Sequence, residues 1–265
     1  MTSVAPAGGS ATGRSGEVEL WTAQLDLAAL ENRLSGSLLS EEELERARRL
    51  RFESDRVHFT ASRLWLRLVL AHGLGVGTAE IRLQTRSDGK PELAPPLPAR
   101  LRFSMSRSGS LGLFALAFDS EVGVDLEDRS RVGDVEAVGG RIFSPAERAI
   151  LDGLDDEEKQ RSFCQIWTRK EAVLKALGVG LGAPLEALDV SGEVALWDTA
   201  RPGVPDEPRT WFVHDLDVAP GYSAALATEA ALPGGVPAVR DATELLPGAV
   251  PGFLGRSAAS SMPAP

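Results

Sequence analysis

Residues 111–127 read Leu-Gly-Leu-Phe-Ala-Leu-Ala-Phe-Asp-Ser-Glu-Val-Gly-Val-Asp-Leu-Glu. The first eight carry no polar side chain, the pattern of a strand covered on both faces. Residues 122–127 then form a second strand. Successive side chains leave opposite faces of a strand, so Val124 and Leu126 enter the core while Asp125 and Glu127 share the other face. Two carboxylates on one face repel each other unless a cation sits between them. The division of the chain is placed here, between residues 118 and 119.

Working outward, the two sides echo each other. Ser40-Glu41-Glu42-Glu43 is a helix start in which a serine caps and a glutamate three residues on reaches back. Ser144-Pro145-Ala146-Glu147 repeats it, with proline at the first helical position. Each start opens a helix pair that glycines end: Gly73 and Gly75 after the first pair, Gly178, Gly180 and Gly182 after the second. Leu66-Arg67-Leu68-Val69 in the first pair resembles Leu174-Lys175-Ala176-Leu177 in the second. Strands are expected at 17–25, 81–84, 101–105, 111–118, 122–127, 190–197, 211–218 and 222–227, with a serine-rich turn at 104–108. The fold class is α+β, and the echo suggests two related α/β halves with a site at their interface, the alternative being two ordinary helix pairs, since capping boxes are common. The domains are a disordered lead-in at 1–16, an N-terminal half at 17–118, a C-terminal half at 119–230 and a Pro/Gly/Ala-rich tail at 231–265, of which 243–246 could dock locally.

The chain has 265 residues and a formal net charge of -10, which argues against general nucleic-acid binding. One cysteine, Cys164, excludes an intrachain disulfide and a cysteine-rich zinc site. No apolar run approaches the roughly 20 residues of a membrane span. The polar first residues do not form a secretory signal, so a cytoplasmic protein is expected.

The helix around Trp167-Thr168-Arg169-Lys170-Glu171-Ala172-Val173-Leu174-Lys175 places Trp167, Glu171 and Lys175 on one face, one turn apart. A Glu–Lys pair at this spacing often only supports an exposed helix. Sharing a face with Trp167 argues for partial burial, which suits metal ligation, proton transfer or phosphate contact. With Asp125 and Glu127 this gives three hard oxygen ligands, fit for Mg2+ or Mn2+. Despite the acidic whole, residues 45–107 hold about twice as many Lys and Arg as Asp and Glu. Arg46, Arg48, Arg49, Arg63, Lys90 and Arg107 stand out, whereas Arg51 and Arg67 read as solvated helix positions. An acidic metal centre beside an anion cradle is the composition of a phosphoryl-transfer site.

Taken in order, Gly-Lys-Pro (89–91), Phe-Ser-Met-Ser-Arg-Ser (103–108), Gly-Val-Asp-Leu-Glu (123–127), Phe-Ser-x-x-Glu (143–147) and Trp-Thr-x-Lys-Glu-Ala-x-x-Lys (167–175) resemble the motifs of the 4′-phosphopantetheinyl transferases, in their long, pseudo-dimeric, surfactin-synthetase type. The resemblance covers residues 17–230. It implies transfer of the phosphopantetheine arm of coenzyme A to a serine of an apo acyl or peptidyl carrier protein, releasing adenosine 3′,5′-bisphosphate, by a monomer. It also implies that Asp125, Glu127 and Glu171 hold Mg2+, with Glu171 the base for the carrier serine and Lys175 steadying the pyrophosphate. Lys90, Ser106 and Arg107 would line the nucleotide phosphates, with Arg63 and Arg48 contributing to the 3′-phosphate pocket.

Two departures stand out. The family usually has His at the position of Arg107, so coenzyme A binding is expected to be insensitive to pH near neutrality. The usual Asn of Phe-Asn-x-Ser is Ser104. Segment 128–148, with Arg129, Arg131 and Arg141 among apolar residues, is the expected docking surface for the acidic carrier; replacing Arg131 and Arg141 with Glu should raise the carrier KM alone. A two-metal phosphodiesterase and a catalytically degenerate binding module are the competing readings.

Overall fold

The computed structural model describes residues 15–27, 30, 39–86, 90–131, 142–179, 183–198 and 209–246. The described residues form two sheets and a hairpin. Strands β1 (Val18–Gln24), β4 (Leu101–Ser108), β5 (Leu111–Phe118) and β11 (Val239–Asp241) make a sheet of order β11-β1-β5-β4. Strands β6 (Val122–Asp128), β7 (Leu188–Asp189), β8 (Val194–Trp197), β9 (Trp211–Asp215) and β10 (Tyr222–Thr228) make a second, of order β6-β10-β9-β8-β7. Strands β2 (Leu83–Thr85) and β3 (Pro91–Leu93) pair as a hairpin. No described helix is long and apolar enough to cross a membrane.

The four α-helices whose bounds are described come in two pairs. Helix α1 (Glu41–Arg49) starts at Ser40 and α3 (Pro145–Leu151) at Ser144, each with the expected reciprocal cap: the serine hydroxyl accepts the N–H of Glu43 or Glu147, and that glutamate accepts the serine N–H. Helices α2 (Glu53–Leu74) and α4 (Asp156–Leu177) follow, both 22 residues long. They end at Gly75 and Gly178, whose φ of 65° and 77° only glycine adopts without strain.

The layers run helix, sheet, sheet, helix. Phe114, Leu116 and Phe118 of β5 meet Trp65, Leu66 and Val69 of α2. The alternate β5 residues Leu111, Leu113, Ala115 and Ala117 meet Val122, Val124 and Leu126 of β6 and Leu226 of β10. That two-sided covering is why residues 111–118 contain no polar side chain. Val173, Ala172 and Ala176 of α4 close the C-terminal core against Ala225 and Ala227 of β10.

Three expectations are corrected. Residues 104–108 are not a turn: β4 runs on to Ser108, and the chain reverses at Gly109, where φ is 56°. Arg67 is not a solvated helix residue; its guanidinium is buried, donating to Glu43 Oε2 at 2.8 Å and to the Ile81 carbonyl at 2.8 Å. Both partners lie far from it in sequence, outside any local pattern. The stretch from 231 is not wholly a tail. Residues 239–241 pair parallel with β1, and Ala242 and Leu246 enter the N-terminal core, so 243–246 dock as the local alternative held. Three residues between prolines give no periodicity by which to find such a strand. Residues 1–14 of the expected lead-in at 1–16, and the end at 247–265, lie outside the described residues.

Candidate functional site

Helix α4 lies unusually close to β6, and Gly123 permits it: a Cβ there would stand 1.9 Å from the Ala172 carbonyl oxygen. This approach puts Glu171 and Lys175 against the polar face of β6, opposite the face that carries Val124 and Leu126. Asp125 is buried, and its Oδ1 accepts from Lys175 Nζ at 2.6 Å and from Ser106 Oγ at 2.8 Å. Lys175 also donates to Ser106 Oγ at 2.9 Å. Glu127 accepts from Ser108 Oγ at 2.8 Å.

The carboxylates are under-neutralised. Asp125 Oδ2 and Glu171 Oε1 are buried without a hydrogen-bond partner. Burial, and next the Asp125 charge, pushes the Glu171 carboxyl above the ordinary carboxylate range, with Lys175 opposing. Burial raises Glu127 as well, against the Ser108 hydroxyl and the Trp167 indole, which hydrogen-bond it. Among the described residues no three acidic, histidine or cysteine side chains are gathered as a finished metal cage. Asp125 is instead turned to Lys175. Buried carboxylate oxygens left without partners in a cluster of acids are nonetheless the condition that a hard divalent cation relieves.

A cleft of about 240 Å³ opens beside these groups, lined by Lys90, Pro91, Phe103, Ser104, Met105, Glu171, Leu174, Lys175 and Gly178. Its walls come from both halves. Lys90 reaches across, donating to the Ala176 carbonyl at the end of α4 at 3.3 Å and to Glu121 Oε2 at 3.4 Å. A second, smaller cleft is lined by Arg46, Arg63, Glu42, Glu43, Thr85 and Pro91, among others. Burial holds the Arg63 guanidinium below its usual range, and its Nε has no hydrogen bond, with Glu43 Oε1 3.6 Å away. A guanidinium so placed is under-compensated and suited to an anion.

Asp125, Glu171, Lys175, Ser106 and Lys90 are therefore brought together, with Glu127 one strand step from Asp125. Arg63 faces the second cleft. Arg48 does not: it is exposed and pairs with Glu41 at 3.2 Å, while Arg46 takes the cleft position. Arg107 is exposed on the strand face opposite the serines. In the expected docking segment Arg131 is exposed, and residues 132–141, including Arg141, lie outside the described residues.

The sequence reading missed the roles of Ser104 and Ser108. Ser104 Oγ accepts the Val124 N–H at 3.1 Å, and Ser108 Oγ the Asp128 N–H at 3.0 Å. Serines at 104, 106 and 108 repeat every second residue, which is a strand signal obscured by the turn-like composition. It also missed Lys170, fully buried on Glu147 Oε2 at 2.8 Å and donating to the Leu185 and Leu188 carbonyls.

Comparison with known proteins places two family models on the chain. Residues 121–227 match the 4′-phosphopantetheinyl transferase superfamily, and residues 28–118 match the 4′-phosphopantetheinyl transferase N-terminal family. A 4′-phosphopantetheinyl transferase of Nostoc sp. is 38% identical over 178 residues, 67% of this chain and 75% of that protein. The 4′-phosphopantetheinyl transferase Sfp of Bacillus subtilis is 29% identical over 76% of this chain and 86% of its own length. A phosphopantetheinyl transferase of Thraustochytrium sp. is 31% identical over 73% of this chain and 72% of its own length.

Proposed function

The chain belongs to the 4′-phosphopantetheinyl transferase superfamily and moves the phosphopantetheine arm of coenzyme A to carrier proteins, and we propose that it does so in the cleft between its halves, with Asp125, Glu127 and Glu171 holding a divalent cation. One observation carries that reading: the buried, partner-free oxygens of Asp125 and Glu171 face each other's charge beside the Lys175 ammonium. A bound Mg2+ or Mn2+ would draw negative charge from the coenzyme A pyrophosphate.

The chain's own groups divide the remaining work. Lys175 holds its ammonium at the mouth of the cleft through Ser106 and Asp125, where it meets the pyrophosphate and stabilises the departing adenosine 3′,5′-bisphosphate. Lys90 supplies a second cation from the opposite half. Arg63, with Arg46, receives the third phosphate in the smaller cleft. Glu171, made more basic by burial, takes the proton of the carrier serine as its oxygen attacks phosphorus. Both walls of the cleft come from one chain, so a monomer suffices. The three carboxylates and Lys175 are all present, which favours an active enzyme over a degenerate binding module.

Mass spectrometry of an apo carrier protein incubated with coenzyme A, Mg2+ and this protein tests the reading. The carrier should gain one phosphopantetheine, and a chelator should prevent it. Carriers of several kinds left unmodified would overturn it in favour of the binding module.

A further inference from the structure

Strands β4 and β6 lie side by side but in different sheets, with no backbone ladder between them. Serine hydroxyls span the gap, and the three are not equivalent. Ser104 meets only the backbone N–H of Val124. Ser106 meets Asp125, but Lys175 holds the same carboxylate oxygen. Ser108 accepts the Asp128 N–H, which fixes its oxygen, and its single proton goes to Glu127 Oε2. Apart from Ser108 and the Trp167 indole, no hydrogen-bond donor among the described residues orients Glu127, and its side chain is a methylene longer than that of Asp125.

We propose that Ser108 is a positioning residue: its hydrogen bond to Oε2 of Glu127 sets how that carboxylate presents its other oxygen to the divalent cation. This rests on the cation reading above. The N-terminal half thereby tunes a ligand that the C-terminal half carries. Groups that orient a ligand in this way commonly change metal affinity by about 10- to 100-fold when removed.

The test is Mn2+ binding by the full chain with coenzyme A and no carrier, read by electron paramagnetic resonance, so that no turnover enters. Ser108→Ala should weaken Mn2+ by about 10-fold, and Ser108→Thr should restore it. In a Glu127→Gln background, Ser108→Ala should add less than about 2-fold, as two residues acting through one contact do. Should Ser108→Ala fail to fold, Ser108→Cys, similar in size and a weak donor, takes its place with an intermediate loss expected. Unchanged Mn2+ affinity in these variants would overturn the proposal. So would a penalty that persists in full beside Glu127→Gln, which would assign Ser108 to the seam between sheets. A wild-type chain that binds no Mn2+ would overturn the cation reading itself, and this inference with it.

Discussion

The two halves of the chain share one frame and differ in what fills it. In the first, Glu43 caps α1 and takes Arg67 of α2, which donates onward to the Ile81 carbonyl. In the second, Glu147 caps α3 and takes Lys170 of α4, which donates onward to the Leu185 carbonyl. Arg67 and Lys170 each lie eight residues before the left-handed glycine. Arg67 thus corresponds to Lys170, and not to Lys175 as the echo of Leu66–Val69 with Leu174–Leu177 suggests. The strands correspond as well: β1 pairs antiparallel with β5 from Gln24↔Leu111, and β6 with β10 from Asp128↔Tyr222.

Counted on that frame, Trp21 stands where Asp125 stands and Ala23 where Glu127 stands. On the helices Leu68 matches Glu171 and His72 matches Lys175. The pairings recur: Trp21 meets His72 edge-on at 5.2 Å, as Asp125 meets Lys175. Arg240, from the docked C-terminal segment, covers the Trp21 ring at 4.0 Å. One half seals this place with an indole, and the other leaves carboxylate oxygens without partners. The lesson is that stability resides in the shared frame, while the chemistry occupies positions the frame does not need.

Five substitutions probe that division. Glu147→Gln strips the buried Lys170 ammonium of its charge partner and should cost about 3–5 kcal/mol. Its counterpart Glu43→Gln should cost less, because Glu43 and Arg67 keep slight contact with solvent whereas Glu147 and Lys170 are fully buried. Urea melts of the pair check this, and equal losses would break the comparison. Trp21→Ala should cost about 3–5 kcal/mol as a large-to-small core change; with the protein still folded, its Mn2+ affinity should hold, and a fall would couple the two places. Gly123→Ala forces a methyl onto the Ala172 carbonyl and should cost about 1–3 kcal/mol or more by overpacking. Glu19, at the matching place in β1, already carries a side chain, so Glu19→Ala should cost far less in the same melt.

The smallest effect concerns His214, which pairs with Leu226 in the register where Ser104 pairs with Ala115. Burial lowers the His214 pKa, and Glu193, Arg169 and Asp215 are the charges that face it, Glu193 and Asp215 opposing the shift. The unfolded chain then binds this proton at higher pH than the folded one. The contribution is present above the ordinary histidine pKa of about 6.5 and is lost as pH falls through it toward the folded value. His214→Gln should therefore flatten the decline of Tm between pH 7 and 5.5; an unchanged slope would remove His214 from the balance.

Much of the frame was legible in the sequence because it is local. Two capping boxes, two terminal glycines and the unbroken run at 111–118 are signals within a few residues of their effects. The acids of β6 and the Glu171–Lys175 turn were legible for the same reason, through periods of two and about four. What was not legible depends on chain brought from afar. Arg67 looked solvated because Glu43 and Ile81 are distant in sequence. Arg48 and Arg46 could not be ranked without knowing which side of α1 faces the hairpin. The strand at 239–241 exists because β1, at the other end of the chain, offers an edge.

Lys170 and Glu171 are neighbours in sequence, one assigned to the frame and the other to the chemistry. The most direct measurement is the mass of an apo carrier after incubation with coenzyme A, Mg2+ and Glu171→Gln, at a temperature where circular dichroism shows the variant folded. Phosphopantetheine transfer should fall by about 10²–10⁴-fold relative to wild type, as for loss of a general base, while the Tm stays at or above the wild-type value because a strained buried charge is gone. Transfer at the wild-type rate, or loss of activity only through unfolding, would contradict the division between frame and chemistry.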